Sequence, residues 1–447
     1  MPKLPLAGRT AKPLLILATV ALGLSLYLHI AIAQNEANQD WGKVDQGAYM
    51  YFAKEAYETN FAFSGNRNRM PLFPWIQALL YSPEMSDEAF FEQGKRVNVL
   101  MSLACLAVLG AAFFLKFSQG YALYSISVIA FLLFAIKAPW FQAEILFYTL
   151  FAFAFMLSIE SIRSPRWYKS VGLGLLFALA HFTKASATPG IALYACSFAV
   201  PLLATIRNRL NRQRMVEIVS QALLPLLVFS VGLFPYFNES KERYGHYLYN
   251  VNSTFYVWYD SWGEAKFGTK AAGDREGWPD MPAEEIPSLT KYLKEHSIAD
   301  IVKRFVQGAI RIHNNACSGS GQFGLCIHAG IGVMILIVSL SLRMTGARGT
   351  LTKEDIQSGL FASLFILGYI LLYVWYAAIA SGPRFILTLL IPLFWSVGLA
   401  LPAIPKVYLP GLNIGILDAV FSVMLVILLS QVYELATVRA SLLVGGF

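Results

Sequence analysis

Asp45-Gln46-Gly47-Ala48-Tyr49, followed by Gly65-Asn66-Arg67-Asn68-Arg69-Met70-Pro71-Leu72-Phe73-Pro74, is a polar, aromatic and proline-punctuated stretch in a chain that otherwise reads as membrane. It follows the first long apolar run, so it holds an acid near the point where the chain leaves a bilayer. That placement suits chemistry at a lipid–water boundary. Within it, Tyr49, Phe52, Ala53 and Ala56 recur at three- and four-residue spacing, which predicts a helix over 44–56 with Asp45 and Tyr49 on one face. Residues 71–81 read as a second interfacial helix, with Pro71 and Pro74 in its first turn. As a purely structural residue, Asp45 is an acid favoured by the dipole at a helix N-terminus.

Outward from this stretch the composition sets the class. Of 447 residues, 56% are apolar and 14% charged, against about 25% charged in a soluble domain. Eleven apolar runs approach or exceed the transmembrane length of ~18 residues: 12–33, 97–116, 120–137, 141–160, 170–185, 187–206, 217–237, 326–342, 357–380, 382–403 and 413–436. The expectation is an all-α polytopic membrane protein: a bundle of about eleven helices, interfacial helices in the first outer loop, and a small, mostly helical second outer loop. Its three parts are 1–237, which includes the outer loop 34–95 and the acid, then the outer region 238–325, then 326–447. Residues 12–34 also resemble a signal peptide with Ala31-Ile32-Ala33 as a cleavage site, but the run is long for one and ten further spans favour an uncleaved first helix.

The net charge of +8 raises nucleic acid as a partner, and position argues against it. Basic residues sit in short connectors: Lys3/Arg9/Lys12, Arg163/Arg166/Lys169, Arg207/Arg209/Arg212/Arg214, Arg343/Arg348/Lys353 and Lys406. With eleven spans and a cytoplasmic N-terminus, all fall on the cytoplasmic side, the positive-inside pattern. The first outer loop carries nine acids and five bases, so it is no basic patch. The short cytoplasmic loops fit a bacterial inner membrane, with the acid facing the periplasm or exterior.

Charged residues at membrane depth are costly and usually functional. Lys137 and Glu144 flank a tight turn at 138–143, Lys184 lies in His181-Phe182-Thr183-Lys184, and Arg384 in Gly382-Pro383-Arg384-Phe385. All three hairpins point to the face that holds Asp45. Snorkelling to the interface is the plain reading of such cations. Three hairpins converging on one face suggest instead a phosphate-like head group. The second outer loop opens with Tyr244, His246 and Tyr247 and continues through Trp258, aromatics that suit either an interfacial belt or a sugar-binding cleft. Ser288 reads as the N-cap of a helix running over 288–311. Cys317 and Cys326, nine apart, form a disulfide if the loop is in an oxidising compartment and remain free thiols otherwise; with no nearby Cys or His set they make a poor zinc site. No HExxH, CxxC, P-loop or GxSxG element occurs, and Gly172 and Gly174 read as helix-packing glycines.

Together these elements resemble a family. An acid after the first span, then Tyr49 and Ala53, then Gly65, Arg69, Pro71, Leu72 and Pro74, is similar to the GT-C glycosyltransferases, in the branch of protein O-mannosyltransferases and aminoarabinose transferases. Lys95-Arg96-Val97-Asn98, Phe182-Thr183-Lys184-Ala185-Ser186 and Gly382-Pro383-Arg384-Phe385 agree with it. The likeness covers 1–206 and 357–403; 238–325 does not align. The resemblance implies a polyprenyl-phosphate sugar as donor substrate, an outward-facing site and inverting transfer. It implies Asp45 as catalytic base, its pKa raised by burial against Tyr49 and Tyr51. Arg384, Lys184, Arg69 and Lys137 would contact the donor phosphate. Tyr49 and Glu144 would contact substrate, and so would Tyr244, His246, Tyr247 and Trp258 if the aromatics of the second outer loop line a sugar-binding cleft. Many members carry a second acid after the first; here Gln46 stands there, which favours a reaction without a divalent metal. The acceptor would be a lipid, glycan or protein hydroxyl. A lipid-linked glycan flippase, or a polymerase or ligase using polyprenyl-diphosphate glycans, are the rival readings.

Overall fold

A computed structural model describes residues 7–62, 65–207, 212–317, 323–345, 352–380, 382, 384–405, 407 and 415–437, with side chains from residue 20 onward. Lys3, Arg209, Arg348, Lys406, Ser381 and Pro383 lie outside the described residues, as do the side chains of Arg9 and Lys12. The regular secondary structure of the described residues is helical, with no strand among them. The principal helices are α1 (Ala7–Ala37), α2 (Gln46–Glu58), α3 (Leu72–Ala78), α4 (Asp87–Lys116), α5 (Gln119–Lys137), α6 (Glu144–Arg163), α7 (Trp167–Thr183), α8 (Ala185–Arg207), α9 (Arg212–Tyr244), α10 (Leu289–Glu295), α11 (Ile298–Cys317), α12 (Phe323–Met344), α13 (Lys353–Tyr376), α14 (Ile386–Ala403) and α15 (Ile416–Thr437).

Eight of them are long and apolar enough to cross a membrane: α4, α5, α6, α8, α9, α12, α13 and α14. The chain is an all-α polytopic membrane protein. The other three expected runs also fall on helices, α1, α7 and α15. In α1 the suspected cleavage site is partly packed: Ala31 is buried, Ile32 is exposed, and nearby Tyr27 hydrogen-bonds Ser102 Oγ at 2.6 Å. The seventh run extends seven residues past 237, so the outer region begins after Tyr244. α12 begins at Phe323, three residues before the expected boundary.

The core is aromatic and runs the length of the bundle, from Tyr121, Phe113 and Trp395 to Phe151, Phe361 and Tyr369. Helices approach closely where glycine permits. A Cβ at Gly174 of α7 would stand 2.6 Å from the Pro225 carbonyl oxygen of α9, which accounts for one of the two packing glycines. α5 widens into a π-helical stretch over Ile129–Phe134, all of it buried, one turn before Lys137. Such stretches interrupt regular spacing and re-aim the side chains that follow.

Beside Asp45, the helices expected over 44–56 and 71–81 are present as α2 and α3. The single helix expected over 288–311 is two. Ser288 caps the first by accepting from the Lys291 amide. The chain breaks at His296, and Ser297 with Asp300 starts α11 by a reciprocal pair of hydrogen bonds. Cys317 and Cys326 form a disulfide between α11 and α12.

Candidate functional site

The site is built on the turn at 138–143. Three buried amides fasten its backbone. Asn98 of α4 donates to the Ala138 and Trp140 carbonyls at 3.1 and 2.6 Å. Asn38 donates to Pro139 O at 2.9 Å. Gln46 Oε1 accepts from the Phe141 amide at 2.9 Å and from Asn38 at 2.8 Å, while its Nε2 donates to Asp40 O at 3.0 Å. Beside them, Lys95 is fully buried and donates to the Asn35 and Asn38 carbonyls at 2.9 and 2.6 Å. Lys95 and Asn98 thus tie the end of α1 and the 138–143 turn to α4. Gly94 completes the seat, since a Cβ there would come within 1.9 Å of the Phe141 ring.

This scaffold places Glu144 at the first position of α6, 1% exposed. A carboxylate so buried requires cationic partners. Lys184, at the junction of α7 and α8, donates to its Oε1 at 2.7 Å, and Arg384 stands 3.7 Å from the same oxygen. The buried Lys137 ammonium also acts on Glu144. The second oxygen, Oε2, has no hydrogen-bond partner among the described residues.

Asp45 sits at the N-cap position of α2, yet its side chain caps nothing there. It turns toward two arginines. Arg384 Nη1 donates to Oδ2 at 2.7 Å, and Arg69 Nη2 to Oδ1. Helix capping therefore does not account for this acid. Burial alone would raise its pKa, but Arg69 and Arg384 outweigh burial and hold the carboxyl well below the usual carboxylate range. This reverses the expectation that Tyr49 and Tyr51 would raise it. Tyr51 is mostly exposed, and Tyr49 is buried against Phe73. Arg384 answers in kind: burial opposes its charge, and Asp45 more than restores it, raising its pKa.

Asp45, Arg69, Glu144, Lys184 and Arg384 thus meet in one cluster, drawn from five segments, with Lys137 beside it. Two carboxylates face four cations, a formal excess of two positive charges. The cluster is roofed by hydroxyls and amides that sequence reading missed. Tyr148 OH donates to Arg384 O at 2.8 Å. Tyr376 OH donates to Asn252 Oδ1 at 2.9 Å, and Asn252 reaches Asn68 Oδ1 at 3.4 Å, next to Arg69. Asn250, two residues before Asn252, donates to Arg67 O at 2.8 Å. Arg67 itself is fully buried, stacked 3.6 Å over the Tyr236 ring and bonded to Glu239 at 3.2 Å. It anchors the loop against α9 and leaves Arg69 to face Asp45. Gly65, at φ 86°, permits the turn that starts this loop.

The aromatic candidates of the second outer loop divide. Tyr244 is the last residue of α9, buried and stacked on Tyr249 at 4.5 Å, so it packs the loop and lines no cleft. His246 stacks on Trp278 at 4.2 Å, and Tyr247 is exposed. Trp258 packs near Trp375, one residue before Tyr376. No group of three or more metal-ligating side chains occurs among the described residues.

A comparison with models of protein families gives no match, and a comparison with curated proteins gives none either.

Proposed function

We propose that the chain is an integral-membrane inverting glycosyltransferase of GT-C type, with eleven spans and its N-terminus in the cytoplasm. It moves a sugar from a polyprenyl phosphate to a hydroxyl of a lipid, glycan or protein at the outer face of a bacterial inner membrane. One observation carries this reading: two acids and four cations, spaced across most of the chain, converge beside a membrane-facing bundle with two positive charges to spare.

In this mechanism the acceptor oxygen attacks the anomeric carbon, its proton passes to Asp45, and the anomeric carbon–oxygen bond to phosphate breaks. The leaving group departs as polyprenyl phosphate with one more negative charge than the donor diester carried. Arg384, Lys184 and Arg69 meet that developing charge, and fixed cations so placed act most strongly where charge grows in the transition state. The depressed pKa of Asp45 depends on Arg69 and Arg384 both resting on it. A phosphate that draws Arg69 and Arg384 away from Asp45 weakens their hold on it, and its basicity rises toward that of an ordinary carboxylate. Donor binding thereby activates the base. Glu144, with one oxygen uncommitted, is placed to accept a hydroxyl of the sugar. Gln46, where related proteins carry a second acid, spends all its polar atoms on backbone and Asn38, and its side chain is committed away from Asp45.

The test is transfer by the purified protein from labelled polyprenyl-phosphate sugars to a crude acceptor extract. Release of polyprenyl phosphate that is lost in Asp45→Asn supports the reading. Asp45→Asn should also bind the donor more tightly than wild type, because the arginines lose their internal competitor. Tight carrier binding with no release from any donor would point to a flippase.

A further inference from the structure

A second polar cavity, of about 300 Å³, lies among the outer loops against one face of α11. One wall is Asp260, held by Arg304 at 2.9 Å, His296 at 2.7 Å and Tyr292 OH at 3.0 Å. The opposite wall includes Ala378, in the segment that leads to Arg384. Between them Lys303, Gln307 and Arg311 line up at successive turns of α11. The acids here are engaged: Asp260 by the three groups named, and Asp300 by the Ser297 amide and hydroxyl. Against Asp260 and Asp300 the lining sets Lys303, Arg304 and Arg311, a formal excess of one positive charge, and Arg311 makes a 3.4 Å contact with the Ala377 carbonyl.

The position of α11 follows from its attachments. Arg304 stacks on Trp375, Gly308 lies against the Val374 carbonyl, and Arg311 reaches Ala377. Three successive turns meet the same last turn of the spanning helix α13, so α11 crosses that end and does not run alongside it. Its C-terminus is fastened by the disulfide to the start of α12, another spanning helix. The helix thus lies along the end of the bundle, at the level where spans leave the bilayer.

Around its axis α11 carries three stripes. One is buried against α13, with Arg304 and Gly308. One is apolar and exposed: Ile298, Val302, Val306 and Ile310. The third, between them, is the donor row Lys303, Gln307 and Arg311. An apolar stripe left open beside a cationic row, at the edge of a membrane bundle, is the arrangement of an interfacial helix. We propose that this cavity binds the anionic, phosphate-bearing head group of a membrane lipid, whose acyl chains lie along the Ile298–Ile310 stripe. The head group enters from the bilayer, its phosphate between Lys303 and Arg311 and its neutral part beside Gln307. The site is separate from the Asp45 cluster and does not rest on the transferase reading.

The full-length protein, in nanodiscs of phosphatidylcholine containing a minor fraction of phosphatidylglycerol, supplies the test. Native mass spectrometry of the extracted protein should show retained phosphatidylglycerol enriched over the bulk. In Lys303→Gln/Arg311→Gln that retention should weaken by roughly ten- to thirty-fold, the loss expected for two interfacial cations. Both side chains are exposed, so folding is spared. Equal retention by wild type and variant overturns the proposal. Displacement of the lipid by millimolar glycerol phosphate also overturns it, since the site would then serve a soluble anion. On the unaltered protein, a photoreactive phosphatidylglycerol should label the peptide spanning 298–311, and labelling confined to other regions would count against it.

Discussion

The clusters around Asp45 and Asp260 are both acids gripped by arginine, yet they are assembled in opposite ways. Asp45 takes its partners from 24 and 339 residues away. Asp260 takes all of its own from within 44 residues. The Asp45 side chain is 18% exposed and that of Asp260 is 44% exposed. A surface cluster of local origin fixes a loop. A buried cluster that draws cations from three hairpins holds charge that folding alone does not require, because buried ion pairs repay little beyond their desolvation. On the proposed reading the difference assigns chemical work to Asp45 and a positioning role to Asp260.

The largest effect that would separate them is on transfer. Asp45→Asn should lower turnover by at least ~10²–10⁴, the usual worth of a general base. Asp260→Asn should leave it within about three-fold, in line with a group outside the chemistry. Equal losses in both, measured as polyprenyl phosphate release, would erase the distinction. Next in size is Arg384→Gln, which removes a cation from the leaving phosphate and should cost about 10²–10³ in turnover. If it altered only the melting temperature, Arg384 would be structural like Arg304.

A third prediction sharpens the role of the scaffold. Gln46→Glu replaces a buried donor facing the Asp40 carbonyl with a carboxylate, an unpaired polar group worth about 1–3 kcal/mol or more of stability. Thermal unfolding in detergent should record the loss without any gain of metal dependence. A stable variant whose transfer responds to divalent ions would show that the missing second acid was a metal ligand.

The smallest effect is at His296. Partial burial alone would lower its pKa, but the Tyr292 carbonyl and Asp260 raise it above the usual 6.5. A group whose pKa is higher folded than unfolded stabilises fully below its unfolded value. The contribution is lost as pH rises through the folded value. Melting temperature should therefore slip as pH climbs above 6.5, and the slip should flatten in Asp260→Asn, where the Tyr292 carbonyl and Asp300 alone are left to oppose burial. Asp45 has the opposite sign: its stabilisation is present at neutral pH and fades only in strong acid.

The sequence was legible where physics is local. Every apolar run expected to span lies on a helix, because length and hydropathy decide that segment by segment. The convergence of hairpin cations was visible as well, since alternate turns of a polytopic chain share a face. Pairing was not visible. That Arg384 would grip Asp45 depends on how α14 meets the first outer loop, and this inverted the expected shift of the Asp45 pKa. The break at His296 was legible but overlooked: Ser297-x-x-Asp300 is a helix start written inside an apparently continuous periodicity. Tyr244 was misjudged for the converse reason, because an aromatic at a span end carries no mark that tells stacking from lining.

The distance between Asp45 and Arg384 also sets an order of events at the ribosome. Asp45 and Arg69 are made early, and the arginine that completes the cluster follows after hundreds of residues and several further insertions. Until then the first outer loop holds its acid against Arg69 alone, and Glu144 and Lys184 have only each other and Lys137. The cluster is thus completed late in synthesis, with only α14 and α15 still to follow. A chain interrupted before the α13–α14 hairpin would carry a membrane domain almost entire and a site without its final partner, so quality control that samples exposed charge at the bilayer would have its clearest signal there.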